Sequence, residues 1–186
     1  MTRPDATICT LDAARVRLRP LVAADVDAQY LGWLHDPVVI AHIDARYFPQ
    51  SLETITAFVA GFDQQNALVW RVDNKENGAA VGNVQCRINP LHKTADIGIM
   101  LGNRAYWGKG IGSEVLRCVI HHLLGERKVE KITMATRSSN DRMLKTIRKL
   151  GFCEEGILRN HVRHGEGRTD IIQFGLFEGD LIEDQT

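Results

Sequence analysis

The chain has 186 residues, with 23 Lys and Arg against 23 Asp and Glu and a pI near 7.1, so no global field draws it to nucleic acid or to an anionic membrane. A hydrophobic fraction of 44% is ordinary for a globular protein. No run approaches the roughly 20 apolar residues of a membrane span, and the length fits one domain over 1–186, its core within 15–177.

The opening MTRPDATICTLDAA has no apolar core region, which argues against a secretory signal. Cys9, Cys86, Cys118 and Cys153 form no CxxC pair and no Cys/His metal spacing, so buried reduced thiols in a cytoplasmic protein are expected, with no metal. Arg15 to Arg19 alternates as RVRLR and predicts a first strand stopped by Pro20. Val22 to Leu34 predicts a helix with Val26, Tyr30 and Leu34 on one face. His35-Asp36-Pro37 breaks it, and Asp36 is placed to cap a short helical turn through Ile43. Ser51 caps the next helix, whose apolar face is Leu52, Ile55, Phe58, Val59 and Phe62. Thr54 stands where Glu or Gln would complete a capping box, so the box reads as incomplete.

Leu68–Val72, Ala79–Ile88 and Ala95–Leu101 predict three strands, and their short connections imply an antiparallel meander. A long helix follows, with Ile111, Val115, Leu116, Val119, Ile120, Leu123 and Leu124 on one face. Ile132 to Thr136 predicts a fifth strand. Asn140 or Ser139 caps a last helix faced by Met143, Leu144, Ile147 and Leu150 and ended by Gly151. Cys153–Val162 and Thr169–Phe177 predict a closing hairpin. The fold class is therefore α/β (α+β): a mixed, mostly antiparallel twisted sheet of about seven strands with helices on both faces, in which only the strand–helix–strand unit need be parallel.

The chemistry concentrates in the stretch between the fourth strand and the long helix, WGKGIGSE. Glycines admit left-handed backbone and close approach of a ligand. The first amides of a helix have no internal partner, and the dipole adds partial positive charge there. Trp107, Gly108, Lys109, Gly110, Ile111, Gly112 and Ser113 thus read as a phosphate site, with Lys109 adding a full charge. The Walker pattern is absent, and the glycines at 108, 110 and 112 do not make GxGxxG.

This order resembles the pyrophosphate loop of the GNAT superfamily of N-acetyltransferases, [Q/R]-x-x-G-x-[G/A]. Trp107 stands where Gln or Arg is usual, and YWGKG resembles the ribosomal-protein alanine acetyltransferase branch. A second block, Asn140 to Met143 and then Lys149-Leu150-Gly151-Phe152, is similar to the family's N-x-x-S…K-x-GF, with Met143 at the small position and Ile147 where many members carry a tyrosine acid. The resemblance runs from about Arg15 to Leu176 and is strongest from Val81 to Phe152. It implies a GNAT fold, acetyl-CoA as cosubstrate and direct attack by an amine. It further implies a pantetheine arm beside Met100 and Leu101, a coenzyme hydrogen bond from Asn140, and a homodimer as in many relatives.

Asp96 sits where relatives often have Glu before Ile-Gly, which makes it the leading general base; the alternative is a surface aspartate paired across the strands. Ser138 and Ser139 offer a polarising or relay hydroxyl, or simply turn and cap contacts. Tyr30, Trp33, His35 and Asp36 lie in a YLGWLHDP stretch similar to one in GNAT enzymes acting on nucleotide-activated amino sugars. They are candidate acceptor contacts, against the plainer reading of core aromatics and a loop. His161, Arg163, His164 and Arg168 form a basic hairpin that either meets acceptor phosphates or is solvated. His121 and His122 are adjacent and point to different helix faces, against a shared metal. Three functions remain open: N-acetylation of a small-molecule amine such as an amino sugar nucleotide, acetylation of a protein N-terminus, and coenzyme A binding without catalysis.

Overall fold

The computed structural model describes residues 9–183, so the opening segment read for a signal lies largely outside the described residues. An eight-stranded sheet has the order β1-β2-β3-β4-β5-β6-β8-β7. The strands are β1 (Leu11–Asp12), β2 (Val16–Pro20), β3 (Ala67–Asn74), β4 (Ala80–Asn89), β5 (Thr94–Met100), β6 (Lys131–Arg137), β7 (Cys153–His164) and β8 (Gly167–Phe177). The four α-helices are α1 (Ala28–His35), α2 (Leu52–Ala60), α3 (Ile111–His121) and α4 (Asp141–Lys149). By proximity the chain divides into two units. The first comprises the chain up to Arg87 with Gly98–Val119; the second comprises Ile88–Ile97 with the chain from Ile120.

In the first unit, β2 pairs antiparallel with β3, and β3 with β4. Leu21, Tyr30, Leu34, Ile55, Val59, Phe62, Ala67 and Val69 form the core between α1, α2 and β3, with Trp33 and Met100 packed against it. α3 buries Ile111, Val115, Leu116 and Val119, the face read from their spacing. In the second unit, β5 pairs parallel with β6, and β8 antiparallel with both β6 and β7. α4 buries Leu144 and Ile147, and Gly151 ends it at φ +96°. A Cβ there would stand 1.9 Å from the Asp180 carbonyl oxygen, so the position admits only glycine.

The mixed sheet is present as expected, with the two-residue β1 added at its edge beside β2, which makes eight strands among the described residues. Three expectations need correction. The helix expected over Val22–Leu34 is broken: Ala23–Asp25 is a 3-10 turn, and α1 begins only after Asp27, whose carboxylate accepts from the Tyr30 amide at 2.8 Å. The α2 capping box is complete, because the Thr54 hydroxyl accepts from the Ser51 amide at 2.9 Å while the Thr54 amide donates to the Ser51 hydroxyl at 3.2 Å. Of the cysteines, all reduced, only Cys86 is buried; Cys153 is exposed, and burial pushes the Cys118 thiol up to about 11. His121 is exposed and His122 buried, as adjacent helical positions require. No described helix is long and apolar enough to cross a membrane.

The β2–β3 register sets Arg19 opposite Arg71, a like-charge pair that would push the strands apart. Two carboxylates neutralise it. Asp25 accepts from Arg19 at 2.6 Å and from Arg71 at 3.3 Å, and Asp73 accepts from the same two guanidiniums at 2.9 and 2.7 Å. Burial opposes charge on Asp25, but the Arg19 and Val22 hydrogen bonds and both arginine charges outweigh it, so its carboxyl lies below the ordinary value. A depressed carboxyl stabilises the fold above its unfolded pKa, and that contribution is lost as pH falls through the folded one. Asp25→Asn should therefore lower stability by about 2 kcal/mol at neutral pH. The deficit should narrow in acid, which thermal melts from pH 7 down to pH 3 would show; a deficit independent of pH would contradict the assignment.

Candidate active site

The glycine-rich turn is built as its spacing requires. After β5 the chain makes a 3-10 turn at Arg104–Tyr106 capped by Asn103, then enters the loop. Gly108 and Gly110 take left-handed angles, φ +72° and +77°. A Cβ on Gly108 would meet no atom of the described residues within 4 Å, so among them this stretch of backbone lies open to an approaching group. α3 then starts at Ile111, and its first amides, with no intrahelical partner, lie directly after the two glycines.

Trp107, at the first motif position, has a structural task. Its indole Nε1 donates to the Leu101 carbonyl at 2.8 Å, tying the loop to the end of β5. The Arg104 guanidinium lies 5.9 Å from the Trp107 ring centroid and reaches Asp36 at 3.4 Å. Chiefly through the Val38 amide, Asp36 keeps its carboxyl below the ordinary value. Gly102 lies against Trp33: a Cβ there would stand 2.0 Å from indole Cδ2. The end of α1 is thereby brought against the chain between β5 and the loop. Gly82, on β4, lies as closely against the end of β5, where a Cβ would fall 2.0 Å from the Met100 oxygen.

The expected acceptor residues divide. Trp33 and Asp36 are partly exposed beside this turn. Tyr30 is only 5% exposed, with its hydroxyl accepting from Asn83 Nδ2 at 3.0 Å and burial raising its pKa to about 12. It is a core residue whose ring stands 5.6 Å from that of Trp33. His35 is exposed, with Nε2 3.2 Å from the Gln50 carbonyl.

In the second unit, Asp96 lies at the last of the three β5–β6 pairs, Asp96↔Thr133. The Thr133 hydroxyl donates to its carboxylate at 3.0 Å. The residue is exposed by surface area, yet its crowded carboxylate loses enough water that desolvation, outweighing the Thr133 bond, holds its pKa above the ordinary value. Asn140 caps α4 by accepting from the Met143 amide at 3.3 Å, and its Nδ2 donates to Thr136 at 3.1 Å. Ser138 is spent on Thr169, 3.0 Å away. Arg168 donates to the Asn160 and His161 carbonyls, so it ties the hairpin together. Ile147 is fully buried and offers no acid.

Sequence reasoning missed Arg15. Its backbone amide and Nε donate to the two Glu114 carboxylate oxygens at 2.6 and 2.7 Å, and Nη1 donates to the Lys109 carbonyl at 2.8 Å. The residue just before β2 thus grips the glycine-rich turn and the first turn of α3. The partners lie 99 and 94 residues away, beyond any local pattern.

The family described as "Acetyltransferase (GNAT) domain" matches residues 15–153. An uncharacterized N-acetyltransferase, p20, of Bacillus licheniformis is 26% identical over 175 residues, covering 91% of this chain and 96% of the relative. The ribosomal-protein-serine acetyltransferase of Escherichia coli (strain K12) is 34% identical over 73 residues, 39% of this chain and 40% of that one. Among solved structures, RimL, a ribosomal L7/L12 alpha-N-protein acetyltransferase in complex with coenzyme A, superposes with a TM-score of 0.81 at 18% identity. That likeness covers 91% of this chain and 98% of RimL.

Proposed function

Because the chain belongs to the acetyltransferase (GNAT) domain family, we propose that it moves the acetyl group of acetyl-CoA to a primary amine, holding the coenzyme on the loop from Trp107 to Ser113 and working as one domain. The observation that carries this reading is the loop itself: two left-handed glycines open to solvent, followed directly by a helix N-terminus and flanked by Lys109. Its amides suit the pyrophosphate oxygens. The pantetheine arm would run along Met100 and Leu101.

The acceptor nitrogen attacks the thioester carbonyl; the N–C bond forms, the C–S bond breaks, and sulfur leaves as thiolate. The amine must lose a proton, and the thiolate must gain one. Asp96, its pKa raised, is the residue we assign to take that proton. For the acceptor, Trp33 and Asp36 offer an aromatic face and a carboxylate beside the loop, consistent with an amino sugar nucleotide or another small amine. Burial of Tyr30 removes one aromatic from that set. The similarity to the ribosomal-protein-serine acetyltransferase favours a second reading, a protein N-terminus. Calorimetric titration with acetyl-CoA tests the coenzyme assignment. One saturable site per chain is expected, and absence of binding at millimolar coenzyme would overturn it.

A further inference from the structure

The loop has an unusual gap and an unusual neighbour. Trp107 occupies the motif position where a polar or cationic side chain is usual, and its only polar atom is committed to the Leu101 carbonyl. Arg15 supplies a guanidinium from β2's entry instead. Nε and Nη1 are fixed by Glu114 and by the Lys109 carbonyl. Among the described residues Nη2 makes no hydrogen bond, and it lies 3.5 Å from where a Cβ on Gly110 would stand. The side chain is 51% exposed, against 15% for Glu114, so the fork is anchored on its inner edge and open on its outer one.

We propose that Arg15 is a coenzyme-binding residue: its Nη2 edge, presented beside Gly110, donates to a phosphate oxygen of the coenzyme and takes the part that Trp107 cannot. The inference rests on the acetyl-CoA reading of the loop. An arginine held at two of its three nitrogens loses little freedom on binding, and its planar fork suits a phosphate. Glu114 serves as the anchor, a positioning residue. Its charge is already neutralised by Arg15, so it does not repel the incoming anion.

Calorimetric affinities for acetyl-CoA in wild type, Arg15→Leu, Arg15→Lys and Glu114→Gln test this, alongside melts without ligand. Arg15→Leu should weaken acetyl-CoA binding by about 10- to 100-fold. The loss should shrink at high salt, and Arg15→Lys should recover part of it. S-acetylpantetheine, which has no phosphate, should lose less than about twofold on the same substitution. Glu114→Gln should weaken acetyl-CoA binding by a clearly smaller factor than Arg15→Leu, because the Lys109 carbonyl still holds Nη1. Three results would overturn the proposal: unchanged acetyl-CoA affinity in Arg15→Leu, equal losses for the two ligands, or a loss in Glu114→Gln as large as in Arg15→Leu, which would mark a purely architectural clamp. Failure of the wild type to bind acetyl-CoA would instead remove the loop assignment, and this inference with it.

Discussion

Replacing Gly110 with valine should reduce acetyl-CoA affinity at least about a hundredfold while leaving the domain folded. Gly110 sits at φ +77°, which a β-branched residue adopts only under strain of about 1–3 kcal/mol. The space itself is adequate, since among the described residues an added Cβ would meet only the Arg15 side chain, at 3.5 Å. The damage is therefore conformational. The loop should relieve the strain by turning its peptides, and the amides assigned to the phosphates should turn with them. Losing two charge-assisted hydrogen bonds accounts for roughly a hundredfold. Calorimetry with acetyl-CoA and a melt of the apoprotein measure both halves of the statement. Gly125→Ala, where nothing lies within 4 Å and φ is not left-handed, serves as the silent control. Undiminished affinity in Gly110→Val would remove the loop from the coenzyme site.

Asp96→Asn should lower turnover about a hundredfold without changing acetyl-CoA affinity. The amide is nearly isosteric and still accepts from Thr133, so the geometry at the end of the β5–β6 pairing survives and only proton acceptance is lost. The pH dependence gives the sign. Desolvation raises the Asp96 pKa, so in the wild type Asp96 should be progressively protonated, and turnover should fall, as pH drops through that raised value. At saturating acceptor the Asn variant should lack this part of the acid limb. Turnover within about threefold of wild type would make Asp96 structural, paired with Thr133 and no more.

Much of this was legible in the chain because it is local. The α3 face, the left-handed glycine ending α4 and the Asn140 cap depend on spacings of a few residues. The left-handed turn at Gly108 and Gly110 before α3 was legible for the same reason, since it depends on glycine torsions rather than on distant side chains. What escaped was tertiary. The helix expected from Val22 breaks because the Asp25 carboxylate accepts from the Val22 amide while pairing with Arg19 and Arg71, strand residues outside any helical window. Thr54 completes a capping box with a hydroxyl in place of the usual longer acceptor. Tyr30 looked like an acceptor contact because it sits beside Trp33 and Asp36 in sequence, yet the helical turn aims it at the core and leaves the other two near the loop. Arg15 carried no signal, since its partners Lys109 and Glu114 meet it only when β2 and α3 are in place.

The most direct test of the central claim follows the acetyl group itself. The wild-type protein is incubated with acetyl-CoA labelled in the acetyl carbons and a panel of amines: amino sugar nucleotides, polyamines, aminoglycosides and short peptides with different N-termini. Products are read by mass, and free thiol is counted in parallel. Acetyl transfer requires one acceptor to gain a single labelled acetyl group on nitrogen, with one thiol released per acetyl, and the gain to vanish in Gly110→Val. Saturable coenzyme binding with no acetylated amine across the panel, and thiol release no faster than without protein, would contradict it.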